Sequence, residues 1–275
     1  MPEASLPVYD SSRRGLKWLE EAAELWRYRH LVVELVLRDI KVRYKRSFLG
    51  VGWTMLSPLL NMLAMTWVFS LILKMGVRNF PVYYLSGAVF WTFFAQVTNH
   101  TASMTVDAME ITKRVHIPRS VFVLASVGVG LVNLLLSLVP LILIVLAMGF
   151  PFHASWLFLP VAILIGAVFT TGVGLFVFTL ASRFDDVKET YMVLVQAWFF
   201  VTPIVYTPSL VPERFRPIVR YNPMTYLVEL FRAPLYDGWL PGPNTLMFGI
   251  LAALSALVVG WLFYSAKIED YGARN

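Results

Sequence analysis

Four long stretches of this chain, residues 50–73, 82–99, 121–181 and 190–212, contain no Asp, Glu, Lys or Arg. Apolar runs near the ~20 residues that a helix needs to cross a bilayer recur through them. In hydrocarbon every backbone N–H and C=O must be satisfied internally, which restricts such runs to helices or a closed barrel. These runs are continuous rather than alternating, so helices follow. Spans are expected at about 50–73, 82–102, 121–148, 157–181, 188–207 and 245–266. Each can cover a ~30 Å hydrocarbon core at ~1.5 Å rise per residue.

Six spans place both termini on one side, and charge says which. Ten Lys and Arg precede residue 50, and the later inside segments 103–120, 182–187 and 267–275 hold three, one and two. The outside segments 74–81, 149–156 and 208–244 hold two, none and four. The bias puts the N- and C-termini in the cytoplasm of an inner or plasma membrane protein. The net charge of +6 is thereby an orientation signal and not a nucleic-acid footprint. There is no cysteine, hence no disulfide framework or thiolate metal site. The first 50 residues carry no cleavable signal pattern, so the first span is expected to act as the uncleaved membrane signal. The fold class is therefore all-α: a polytopic membrane protein of six transmembrane helices preceded by an N-terminal amphipathic interfacial helix.

Residues 1–49 read as a cytoplasmic tail and amphipathic helices, and 50–275 as the membrane domain. Within 15–29, Leu19, Ala22, Ala23 and Trp26 share one helical face, with Lys17, Glu20, Glu21, Glu24 and Arg27 opposite. Over 31–46, Val32, Val36, Ile40 and Tyr44 line up beside Glu34, Arg38, Lys41 and Lys45. Such a helix lies in the interface, its basic residues Arg38, Lys41, Arg43 and Lys45 toward lipid phosphates or a partner.

Between spans two and three, Asp107 to Arg119 forms a short polar helix broken at Pro118. It is either a solvated turn or a docking helix that seats in a partner's groove through Glu110, Ile111, Lys113, Arg114, His116 and Pro118. Seven of the sixteen prolines lie between Thr207 and Asn244. Asn222-Pro223 has the form of an N-cap followed by proline at the first helical position. Two short helices at the outer surface are expected there, rather than a span.

Ion-coupled carriers usually need an intramembrane charge, and the charge-free stretches offer instead Asn61, Gln96, Asn99, Asn133 and Gln196, which read first as helix–helix hydrogen-bonding residues. No G-x-x-x-x-G-K-[ST] loop is present, so nucleotide chemistry would belong to a separate subunit. H-E-x-x-H and G-x-S-x-G are absent as well. Asp185-Asp186 is the one candidate for a membrane phosphotransferase acting on polyprenyl lipids; its plainer reading is acid at a positive helix end. No catalytic residue and no metal ligand is assigned. Aromatic rings are grouped: Trp67, Phe90, Trp91, Phe94, Trp198, Phe199 and Tyr206 are either interfacial-belt residues or a surface for sliding pyranose faces. Arg214, Arg216, Arg220 and Arg232 are candidates for an outer contact with phosphate or acidic sugars.

Three blocks, RDIKVRYKRSFLGVGW at 38–53, WFFVTPIVY at 198–206 and YNPMTYLVELFR at 221–232, resemble the membrane subunit of ABC-2 type exporters of polysaccharides and polyol phosphates. That family includes O-antigen, capsule and teichoic-acid exporters. The resemblance covers about residues 30–270 and implies a gate helix before six spans, a coupling helix between spans two and three, and two short outer helices. It further implies a homodimer, two copies of a nucleotide-binding ATPase subunit that holds the ATP and magnesium, and a lipid-linked glycan as cargo. On this reading the chain is a permease without cofactor or catalysis of its own.

Overall fold

The computed structural model describes residues 17–45, 50, 52–74, 76–114 and 117–267. The N-terminal tail, His116 and the C-terminal residues 268–275 lie outside these, as do the side chains of residues 17–20, 22, 106, 107, 113 and 114. Among the described residues the chain is helical, without strands: α1 Lys17–Arg27, α2 Arg29–Tyr44, α3 Gly52–Met65 with a π-wound continuation Thr66–Ile72, α4 Phe80–Ser103, α5 Thr105–Arg114 and α6 Ser120–Ala147. A short 3₁₀ turn Ala154–Phe158 leads into α7 Leu159–Ala181, followed by α8 Asp186–Val201, α9 Arg216–Tyr221, α10 Pro223–Tyr236 and α11 Pro243–Lys267.

Among the described residues four helices are long and apolar enough to cross a membrane: Gly52–Ile72, Ser120–Ala147, Ala154–Ala181 and Pro243–Lys267. α4 and α8 run between the same two ends of the bundle. The 24 residues of α4 give about 36 Å of helix. Ser86 and Thr98 are buried within it, whereas Thr92 and Asn99 are half-buried and Gln96 is exposed. The helix lies against α3, α6, α7, α8 and α10, with most of its residues buried. Thr98 and Thr101 return their hydroxyls to the carbonyls of Phe94 and Val97, so neither leaves an unpaired donor inside the bundle.

Backbone contact replaces side-chain packing where α7 meets α11. A Cβ at Gly260 would lie 2.0 Å from the carbonyl oxygen of Gly172, and one at Gly172 would lie 2.3 Å from the carbonyl carbon of Ala256. Lipid tails are as apolar as leucine, so helices in a bilayer associate by close van der Waals fit, and small residues permit it. α4 sits in similar notches: Gly166 receives the Phe90 ring and Gly130 receives Val97.

α8 stops at Val201, short of the expected 207, and Pro203 is the reason. Thr202, directly before it, is extended at φ −90° and ψ 133°. α2 also differs from a helix lying flat in the interface. Leu35 is buried, and Val36 packs against Gly128 of α6. Val33, Leu37 and Val42, by contrast, are exposed. Its apolar residues thus serve two surfaces, protein on one side and open surface on the other.

Candidate functional site

Where α2 turns into α3, a cleft of about 270 Å³ opens between α3, α4 and α6. Thr54, Ser57, Asn61, Thr92, Gln96, Asn133 and Ser137 line it, with Trp53 and Phe93 as aromatic walls and Arg43 as the one charged lining residue among the described residues. These polar residues come from three helices and look unrelated in sequence. Asn61, Gln96 and Asn133, read first as separate helix–helix contacts, converge on this one volume. A single hydroxyl organises the mouth: Tyr44 donates to Asn133 Oδ1 at 3.0 Å and lies 2.6 Å from the Thr54 hydroxyl. Ser137 donates to the Thr54 carbonyl at 3.3 Å. The basic helix α2 is thereby tied at its C-terminal end to both α3 and α6. Neutral amides and hydroxyls beside an indole suit a hydroxyl-rich ligand and offer nothing that carries a proton across.

The aromatic set expected to line a path is placed unevenly. Phe90 and Phe94 are core residues: their rings lie 5.6 Å from Phe231 and 5.7 Å from Phe169, and neither reaches the surface of the chain. Trp91 is also buried, wedged against Trp198 and Phe199. The reason is the enclosure of α4 on most sides. Trp67 alone of the set is widely exposed, at 61%. Trp198 and Phe199 are half-buried, and Tyr206 donates its hydroxyl to the carbonyls of Phe200 and Val201.

Two of the sequence blocks meet at the opposite end of the bundle from α2. The Trp198 indole donates to Asn222 Oδ1 at 2.8 Å, and the same oxygen caps α10 by accepting from the Met224 N–H at 3.0 Å. Asn222 Nδ2 donates to the Thr202 hydroxyl at 3.0 Å. Breaking α8 at Pro203 leaves carbonyls without helical partners, and Arg232 takes them. Its guanidinium donates to Pro203 O at 2.9 Å and Ile204 O at 3.5 Å, and lies 3.9 Å from the centre of the Tyr83 ring. Tyr83 in turn donates to Tyr206 O at 2.9 Å. Arg232 is 2% exposed, which corrects its expected role as an outer anion contact: the guanidinium is a buried clamp on irregular backbone. Sequence reasoning missed this, although a proline break thirty residues before a lone arginine on an apolar helix face is the signal that could have shown it.

The other three arginines are exposed. Arg214 lies over Phe215, and Arg216 pairs with Glu213 at 3.2 Å. Arg216 and Arg220 line an open cleft with Tyr221 and Tyr226.

At the α2 end, Arg38, Lys41, Arg43 and Lys45 are all exposed, and Arg38 pairs with Asp39 at 2.8 Å. In α5, Glu110 is exposed, whereas Ile111 packs on a small core that includes Leu35 and Phe122, and Pro118 is buried. Arg119 donates to the Thr112 hydroxyl at 3.3 Å and ties α5 to the start of α6. Lys113 and Arg114 belong to the last turn of α5; their side chains, and His116, lie outside the described residues. Glu21 of α1 lies beside Tyr264 and Ser265 of α11, and the Tyr264 hydroxyl accepts the Ser120 N–H at 2.9 Å. Burial pushes the Glu21 carboxyl up to about 7.

Known proteins are similar to this chain in sequence. The ABC-2 type transporter family profile matches residues 30–236. The O-antigen export system permease protein RfbA of Myxococcus xanthus is 32% identical over 240 residues, covering 86% of this chain and 91% of the relative. Its namesake in Klebsiella pneumoniae is 28% identical over 211 residues, 76% of this chain and 82% of the relative. The polysialic acid transport protein KpsM of Escherichia coli is 24% identical over 245 residues, 86% and 93% of the two chains. The matched segment runs from the start of α2 to the end of α10 and so contains the polar cleft, α5 and the Arg232 clamp. The chain belongs to the ABC-2 type transporter family.

Proposed function

We propose that the chain is the permease subunit of an ATP-driven exporter that moves a lipid-linked polysaccharide of the O-antigen kind from the cytoplasmic side across the inner or plasma membrane. The observation that carries the reading is the family match over α2 to α10, joined to spans that hold no coupling charge. Energy then has to come from a separate nucleotide-binding subunit, which binds the ATP and magnesium. A second copy of the chain completes the pathway. The O-antigen relative is more similar, at 32% identity, than the polysialic acid transport protein at 24%, which favours O-antigen-like cargo over capsule.

In this reading α5 receives the ATPase stroke, and α2, tied to α3 and α6 through Tyr44, moves with the cleft it closes. The neutral amides and hydroxyls of the cleft meet sugar hydroxyls by exchangeable hydrogen bonds, which allow release at each step. The test is affinity purification from the native host. Co-isolation of a Walker-motif ATPase whose activity rises with lipid-linked glycan supports the proposal. Purified chain that catalyses phosphotransfer to a polyprenyl lipid without any ATPase, with activity lost in Asp186→Asn, overturns it.

A further inference from the structure

A second cleft, of about 700 Å³, lies at the α10 end of the bundle, beside the Arg232 clamp and apart from the polar cleft and α5. Its walls come from the α6–α7 connection, the end of α10 and the start of α11, and include Arg78, His153, Glu229, Tyr236, Asp237 and Trp239. Three helices long and apolar enough to cross a membrane end or begin beside it: α6 at Ala147, the Ala154–Ala181 helix and α11 at Pro243. The cleft is therefore level with the membrane–water boundary.

Its chemistry is that of a zwitterion. Among the described residues neither carboxylate, of Glu229 or of Asp237, has a side-chain hydrogen bond or ion pair, although Arg232 acts on both through space. The Arg232 guanidinium is committed to the carbonyls of Pro203 and Ile204. Arg78, at the rim, offers its guanidinium, while its backbone carbonyl accepts the Tyr236 hydroxyl. Two carboxylates in the wall of one cleft can accept charge-assisted hydrogen bonds from a cationic ligand. An exposed indole beside them is suited to an ammonium group.

The rim tells what carries that ammonium. Trp239 and Leu240, both in its wall, are 76% and 66% exposed. A site for a water-borne sugar would not be ringed by bare apolar side chains at headgroup level, whereas an amphiphile would cover them with its acyl chains. We propose that this cleft holds the headgroup of an outer-leaflet phospholipid bearing an ammonium and a phosphate. The ammonium sits between Glu229, Asp237 and Trp239, and the phosphate sits at Arg78. The site is independent of the identity of the cargo.

Native mass spectrometry of the full chain in detergent, titrated with short-chain phosphatidylethanolamine or phosphatidylglycerol, tests this. The ammonium lipid is expected to bind about tenfold more tightly, since it alone supplies a charged donor to the carboxylates. Glu229→Gln with Asp237→Asn abolishes that preference, and Arg78→Gln weakens both lipids by a similar factor. If the double variant does not fold, Asp237→Asn alone, at an exposed position, still lowers the preference by roughly threefold. Equal binding of the two lipids by the native chain overturns the proposal. So does an undiminished preference in the carboxylate variants, or displacement of the bound lipid by a soluble oligosaccharide.

Discussion

Replacing Arg232 by methionine keeps most of the side-chain volume and removes the fork that holds Pro203 and Ile204. The bond to Pro203 O, at 2.9 Å from a charged donor, is worth about 1.5–3 kcal/mol, while the 3.5 Å bond to Ile204 O is weak. A desolvated guanidinium 3.9 Å from the Tyr83 ring centre adds about 2 kcal/mol. Pro203 O retains a long 3.4 Å bond from the Tyr83 hydroxyl, which limits the loss. Relief from burying a charge offsets part of it too, which leaves about 3–4 kcal/mol of destabilisation. At roughly 2–4 °C per kcal/mol for a chain of this size, Arg232→Met melts about 10 °C below the native protein. Arg232→Lys retains the charge but neither the fork nor the stacked plane, and is expected to fall about 5 °C. Thermal unfolding followed by tryptophan fluorescence in lipid nanodiscs measures both. The Tyr83→Phe variant, which loses the 2.9 Å bond to Tyr206 O, should fall less than either. A methionine variant with native melting and reduced export would refute the reasoning and restore Arg232 as a cargo contact.

Gly260→Leu places a Cβ 2.0 Å from the Gly172 carbonyl oxygen, so α7 and α11 must separate; a loss of about 3 kcal/mol or more is expected, read as a lower melting temperature. Gly52→Ala, whose Cβ meets nothing within 4 Å, is the matched control and should be neutral or slightly stabilising. Lys113→Glu with Arg114→Glu is expected to uncouple partner ATPase from export while the assembly still forms, and normal export in that variant would exclude α5 as the docking site. The Glu21 carboxyl, raised from 4.5 to about 7 by burial, favours docked α1 when protonated. Its contribution is full below pH 4.5 and is lost as pH rises through about 7. Protease cleavage before α2 should increase over that window, and Glu21→Gln should remove the dependence.

The helical runs were legible because burial in lipid demands continuous apolar sequence, and α6, α7 and α11 lie within a few residues of their expected limits. Asn222-Pro223 was legible for a local reason, since capping depends only on neighbours in the chain: the amide does accept the Met224 N–H. Arg232 was not legible, because its partners lie 28 and 29 residues away across a fold that periodicity does not describe. The aromatic residues misled for a related reason. Phe90 and Phe94 have the composition of a ligand surface, but only packing reveals that α4 is enclosed. Asn61, Gln96 and Asn133 show the converse, each unremarkable alone and meaningful once three helices bring them to one cleft.

The contact between Gly172 and Gly260 also bears on how the protein is made. α7 leaves the ribosome and enters the membrane well before α11 exists, so its glycine notch first meets lipid. Acyl chains fill such a notch poorly, and the α7 groove stays open until α11 has been inserted and docks lengthwise against it. The bundle is thus locked from its C-terminal side. A nascent chain arrested before Pro243 would present an unpaired small-residue groove to the membrane, a surface by which cellular surveillance can tell an unfinished copy from a finished one.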